Sequence, residues 1–166
     1  MSLAQSFVAE LEQEGATTRR VLERAPAEKF AWKPHAKSMS LGELANHVAG
    51  IPGTIAKMSQ PSVFDMSNYA APPAPATTAD VLKAHDEAIA GARAIVGGYS
   101  DAQLMENWTW QAGGKTLMTL PRVALLRAVM LNHWYHHRGQ LSVYLRLLDV
   151  AVPPIYGPSA DENPFA

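Results

Sequence analysis

Three of the six histidines in this chain lie in one short stretch, Asn132-His133-Trp134-Tyr135-His136-His137-Arg138-Gly139-Gln140. On an α-helix His133 and His137 are four apart, so they share one face within roughly 40° of each other. Two imidazoles at that spacing can converge on one metal ion, as they do on the helix of zinc proteases. The glutamate of the protease helix is missing: Trp134 follows His133 directly. A protease mechanism is therefore unsupported. A third imidazole comes from elsewhere in the chain. Leu44, His47, Val48 and Ile51 occupy i, i+3, i+4 and i+7, which places His47 on the buried stripe of a different helix. Neutral imidazoles suit zinc, nickel, copper or iron(II). Three protein ligands leave a position open for water or substrate, the pattern of a reactive metal rather than a closed structural one.

Two other histidines compete for the same role. His136 is three residues after His133 and is offset roughly 60° the other way round the helix, so it is the alternative to His137 as a ligand. Adjacent residues diverge by about 100°, so His136 and His137 do not face one ion together. The His133/His137 pair sits better on the stripe of Met130, Leu141 and Tyr144, which leaves His136 as a flanking group. His85 also lies on an apolar stripe, and alone on its helix it reads as a core histidine satisfied by one hydrogen bond. The plainer alternative for the whole set is a helical bundle with polar core residues. Each buried imidazole left without a partner then costs about 1–3 kcal/mol.

These side chains need helices to position them. Residues 3–25 read as a first helix, with Leu3, Phe7, Leu11, Thr18, Leu22 and Ala25 at helical spacing and Glu10, Glu12 and Glu14 on a solvated face. Residues 26–39 form a connection in which Trp32 is expected to plug one end of a bundle. The second helix begins at Ser40, where Ser40-Leu41-Gly42-Glu43 fits a capping box. Pro52-Gly53 is expected to kink or interrupt it, because proline has no amide hydrogen to donate. Residues 60–78, with Pro61, Pro72, Pro73 and Pro75, read as a long crossover able to arch over a pocket through Phe64 and Tyr69. A third helix is expected from about Thr78 to Val96, capped by Thr77 or Thr78. Around Gly113-Gly114, Trp108, Trp110 and Thr116-Leu117-Met118 suggest a small hairpin or irregular flap. A fourth helix is expected from Thr119 or Pro121 to about Asp149, followed by a loop-like tail over 155–166. No run reads as a convincing sheet strand. The expected fold is all-α: a four-helix bundle with a long crossover between helices 2 and 3, in a single domain over residues 1–166.

Composition narrows the function. Hydrophobic residues make up 48% of the 166 residues and charged residues 17%, which excludes a disordered chain. The net charge of −1, without a basic block, argues against nucleic acid as a partner. No apolar run reaches a membrane span, and the N-terminus lacks a basic n-region, so a cytoplasmic protein is the simplest expectation. There is no cysteine, so any thiol chemistry needs a thiol from outside.

Four segments carry a family resemblance: Trp32-Lys33-Pro34; Ser38-Met39-Ser40-Leu41-Gly42-Glu43-Leu44-Ala45-Asn46-His47; His133-Trp134-Tyr135-His136-His137-Arg138-Gly139-Gln140; and Pro154-Ile155-Tyr156-Gly157-Pro158-Ser159-Ala160-Asp161-Glu162. In type and order they resemble the DinB/YfiT superfamily of metal-binding bundle proteins, over nearly the whole chain. The resemblance implies a four-helix bundle with a long second crossover. It implies a divalent metal, nickel or zinc before iron or manganese, held by His47, His133 and His137. It also implies a homodimer, and a small-molecule substrate handled by thiol-dependent S-transfer or isomerisation. Within that expectation Arg138 is a candidate anchor for an anionic substrate, although an ion-paired side chain is favoured. Gln140 is a candidate to orient His137, and Tyr144 is a candidate pocket residue. Trp108 and Tyr69 are candidates to line the opening. The alternatives are a metal-dependent hydrolase and a non-catalytic metal-binding stress-response protein. A hydrolase is disfavoured because no carboxylate is evident as a general base: Glu43 is used in the cap and Asp86 flanks His85 on an exposed side.

Overall fold

The computed structural model describes residues 1–70 and 73–165. Pro72, expected in the crossover, and Ala166, at the end of the expected tail, lie outside the described residues. Helix α1 (Leu3–Leu22) starts at Ser2, whose hydroxyl accepts from the Gln5 amide at 3.2 Å while the Gln5 side chain accepts from the Ser2 amide at 2.8 Å. It ends before Ala25, the expected limit, and a 3₁₀ turn follows (Ala27–Lys29). Helix α2 (Leu41–Met58) begins at the expected capping box, with Glu43 accepting from the Ser40 amide at 2.6 Å. Helix α3 (Thr78–Gly97) is capped by Thr77 and Asp80 in the same reciprocal way. A short helix α4 (Asp101–Met105), not anticipated, precedes the hairpin and is tied to α1 by the Leu3 amide on Asp101.

Helix α2 runs unbroken through Pro52-Gly53, against the expected interruption. Proline removes the amide that would bond the Val48 carbonyl four residues back. That carbonyl instead accepts from the Trp134 indole Nε1 at 2.9 Å, so its hydrogen bond is made across helices. Gly53 permits the close approach of α3: a Cβ there would come within 2.9 Å of the Ala88 Cα.

The last helix is also not uniform. It opens as α5 (Arg122–Ala124), widens into a π-helix (Leu125–Asn132), and returns to α-geometry as α6 (His133–Leu147). π-Helix is rare and clusters near functional sites; here it ends at the first histidine of the cluster.

The expectation of an all-α chain is corrected by a three-stranded sheet of order β1-β2-β3, so the fold is mostly helical with a small sheet. Strand β2 (Asn107–Ala112) and β3 (Lys115–Pro121) form the hairpin, antiparallel with Trp108 opposite Leu120. Strand β1 (Val63–Asp65), from within the crossover, pairs parallel to β2 with Val63 opposite Thr109. Gly113 and Gly114 turn the hairpin at φ +57° and +78°, the left-handed region a two-residue turn of this type requires. Their amides donate to the Asp65 carboxylate at 3.1 and 3.0 Å. Bonds from the Ser67 hydroxyl and backbone, with those of Gly114 and Gly113, hold Asp65 at a pKa of about 2. One carboxylate thus fastens the crossover to the hairpin turn.

The core is continuous between the long helices and includes Leu11, Leu22, Leu44, Leu126, Met130 and Trp134. Trp108 belongs to it: only 1% exposed, it donates from Nε1 to the Met58 carbonyl at 2.9 Å. Its expected place at a pocket opening is therefore corrected. With Arg122, which donates to the Ser59 carbonyl at 2.8 Å, it satisfies carbonyls at the C-terminal end of α2 that the helix leaves open. Among the described residues no helix is long and apolar enough to cross a membrane.

Candidate metal centre

His47 enters from the middle of α2, and His133 and His137 enter from the first turn of α6. The Nε2 atoms of His47 and His133 are 3.4 Å apart, and those of His133 and His137 are 2.8 Å apart. One ligand atom from each of the three lies within 4.8 Å of the others. Burial is the main force holding all three rings below the ordinary histidine pKa, with neighbouring imidazoles adding to it; His47 falls to about 4. For His133 the Val129 carbonyl partly opposes burial, without making a hydrogen bond to Nδ1. Three neutral rings thus aim nitrogen atoms at one point.

Such an arrangement fits a bound cation. With metal–nitrogen bonds of about 2.0–2.1 Å, ligand nitrogens stand about 3.3 Å apart in a tetrahedron and about 2.9 Å apart at right angles. The observed separations are close to these two values. In a bare core, by contrast, three mutually facing acceptors repel one another unless a proton sits between them.

Groups around the rings fix their orientation. Gln140 Oε1 lies 2.8 Å from His137 Nδ1, so it accepts the Nδ1 proton and leaves the Nε2 lone pair free. The Gln140 amide nitrogen lies 3.0 Å from Nε2 of the exposed His136, whose ring also meets that of His137 edge-on at 4.9 Å, so His136 flanks the site. His85 is absent from the cluster: it is 1% exposed, with Nε2 3.0 Å from the Gly15 carbonyl. It is a core histidine.

Arg138 does not face the site. It is 1% exposed and points to α1, where Nη1 pairs with the Glu14 carboxylate at 2.7 Å and donates to Thr18 Oγ1 at 3.1 Å. Its guanidinium stacks over Tyr135 and Tyr156. The idea of Arg138 as a substrate anchor is corrected, and so is the placement of Glu14 on a solvated face. Tyr144 is packed edge-on against Trp32 at 5.6 Å, its hydroxyl 3.3 Å from the Met39 carbonyl. It is not part of the cavity wall, so its expected role as a pocket residue is corrected too.

A cavity of about 600 Å³ opens beside His47 and His133. Its floor is apolar, with Ile51 and Ile55, and Asn46 and Thr54 supply neutral polar groups. The outer wall includes Lys37, Met39, Tyr69 and Ala74 from two connections. Asn46 also anchors the crossover, donating to the Pro73 carbonyl at 3.3 Å. Among the described residues the one carboxylate on the wall, Glu43, is held by the Ser40 amide and by Lys33 at 3.4 Å. Tyr69 lines the cavity, as expected. Sequence reasoning missed Asn46 and the link between Trp134 and Val48. The only signal for the latter was a proline four residues after Val48.

The family model described as the DinB family matches residues 1–164. YrdA, an uncharacterized protein of Bacillus subtilis (strain 168), is 26% identical over 157 residues, which span 94% of this chain and 89% of that protein. Two solved structures share the fold. A DinB-like protein of Bacillus cereus ATCC 10987 has a TM-score of 0.71 at 18% identity, covering 92% of this chain and 97% of its own. The DinB-like protein YjoA of Bacillus subtilis has a TM-score of 0.70 at 22% identity, covering 90% and 96%.

Proposed function

The chain belongs to the DinB family, and from that premise we propose that it is a divalent-metal-dependent enzyme acting on a small molecule with the help of an external low-molecular-weight thiol. The reaction class is S-transfer or isomerisation. The observation that carries the reading is the convergence of three imidazole Nε2 atoms at 2.8 and 3.4 Å beside a cavity large enough for a small ligand. His47, His133 and His137 would hold the ion; the donor set suits zinc, nickel, copper or iron(II), and zinc or nickel is the choice the family resemblance implies. When bound, such an ion favours the anionic form of a thiol or water brought beside it. Gln140 keeps the His137 proton on Nδ1, and Ile51 and Ile55 keep water from the cavity floor. Glu43 is committed to the helix cap and to Lys33, so the wall offers no free general base among the described residues. That favours a thiol, whose pKa starts far below that of water, so that it would give up its proton to solvent without a protein base, over hydrolysis.

The same commitment of Glu43 leaves room for a second reading, a metal-binding stress-response protein without catalysis. Assembly as a homodimer belongs to the proposal as well: Val143 and Leu147, one turn apart on α6, are each more than half exposed. Sedimentation of the untagged protein tests it.

Metal analysis of protein purified without an affinity tag is expected to give about one divalent ion per chain, lost in His133→Ala. Loaded protein and the His47→Ala/His133→Ala/His137→Ala variant are then incubated with small thiols and electrophiles. Faster thiol transfer by the loaded protein supports the enzyme; equal rates leave the metal-binding reading; absence of metal in the parent ends both.

A further inference from the structure

We propose that Trp134 is a positioning residue for the histidine cluster, and that Pro52 is what makes it one. The inference rests on the metal-site reading above and adds the device that sets the distance between its two helices. His47 is followed by Val48, and His133 is followed by Trp134. The side chain of Trp134 bonds the backbone of Val48 at 2.9 Å, while the rings of the two residues before them meet with Nε2 atoms 3.4 Å apart. The link and the histidine pair are therefore neighbouring rungs between α2 and α6.

An ordinary α-helix would have no such rung. The Val48 carbonyl would be taken by the amide four residues on, and a buried indole at position 134 would have to look for another acceptor. Proline at 52 removes that amide, and its ring crowds the same carbonyl, which leaves it open to a partner from outside the helix. Val48 and Trp134 are both 0% exposed, so water does not compete for the bond. The single polar atom of the Trp134 side chain is thereby used up in locating α6 against α2. Packing alone would locate α6 less sharply, because apolar contacts are non-directional, whereas a hydrogen bond fixes direction and length.

The test uses the whole chain and two variants. Trp134→Phe keeps an aromatic side chain and removes the donor. Pro52→Ala/Trp134→Phe restores an amide at position 52, so Val48 is satisfied within α2 and only the lost packing volume of the indole remains as a cost, but the rung stays broken. Two measurements are made on each. The first is the Overhauser contact between ring protons of His47 and His133 in metal-free protein, whose ring centroids are 5.1 Å apart. The second is zinc affinity by competition with a chelating indicator. Both variants are expected to lose the contact and bind zinc at least about tenfold more weakly, the scale of groups that orient ligands, while the double variant melts above Trp134→Phe. Retention of the ring contact in Trp134→Phe overturns the proposal. So does recovery of contact and affinity in the double variant, which would make the bond merely structural. If Trp134→Phe does not fold, the double variant decides alone. A parent that keeps the ring contact yet binds no zinc defeats the metal reading and leaves the positioning role to be judged on the contact.

Discussion

Replacing Arg138 by methionine is the sharpest test of how this site is supported. Arg138 and Glu14 have side chains only 1% and 8% exposed and pair at 2.7 Å between α6 and α1. Removing the guanidinium leaves a buried carboxylate with the Tyr156 hydroxyl, at 3.1 Å, as its remaining partner. Breaking a buried pair from one side costs about 3–5 kcal/mol, because the surviving charge stays desolvated. In a chain of this length each kcal/mol lowers the melting temperature by about 2–4 °C. Arg138→Met is therefore expected to melt roughly 10 °C lower by calorimetry or circular dichroism. Glu14→Met/Arg138→Met removes both charges and should recover most of that loss. Metal content and ligand binding should be unchanged at temperatures where the variant is folded. An unchanged melting temperature together with lost binding of anionic ligands would refute the reasoning and return Arg138 to the cavity.

Three further outcomes follow from the geometry. For metal-free protein, the His47 pKa falls from 6.5 unfolded to about 4 folded, so the folded state binds fewer protons in that window and stability rises with pH through it. The face value of about 3 kcal/mol shrinks to about 1–2 for a half-buried ring screened by water; urea titrations at pH 7 and pH 4.5 should show it, and His47→Leu should reduce it without abolishing it, because His133, His137 and His85 are lowered in the same direction. Gly53→Ala forces a Cβ against the Ala88 backbone and should destabilise by about 1–3 kcal/mol despite a better helix former, measured by denaturant midpoint. Asp65→Asn weakens the acceptor for two turn amides, so hydrogen exchange at Gly113 and Gly114 should accelerate while the melting temperature barely moves.

What could be read in advance followed local rules. Ser40 with Glu43 is a complete signal within four residues, Thr77 is one of the two caps expected for α3, and α2 and α3 start where these say. His47, His133 and His137 stood on apolar stripes of helical period, and the fold brings them together. Features decided by distant partners were not legible. Three residues, Val63 to Asp65, become a strand only because β2 offers an edge. Pro52 reads as a breaker until Trp134 supplies the missing donor. Glu14 looks solvated beside Glu10 and Glu12 until Arg138 arrives from the far end of the chain. The widened turns over 125–132 leave a stripe that ordinary helical spacing also explains, so nothing in their composition distinguishes them.

The imidazoles ride on two long helices, but the outer rim of the neighbouring hollow is borrowed from residues 37–39 and from Tyr69 and Ala74. On the proposed function, reaction centre and selectivity are thereby drawn from separate parts of the molecule. A lineage can exchange a few rim residues, admit a differently shaped guest, and leave the coordinating trio undisturbed. For the engineer, randomising positions 37, 38, 69 and 74 is expected to alter which guest the hollow admits while leaving the three imidazoles in place.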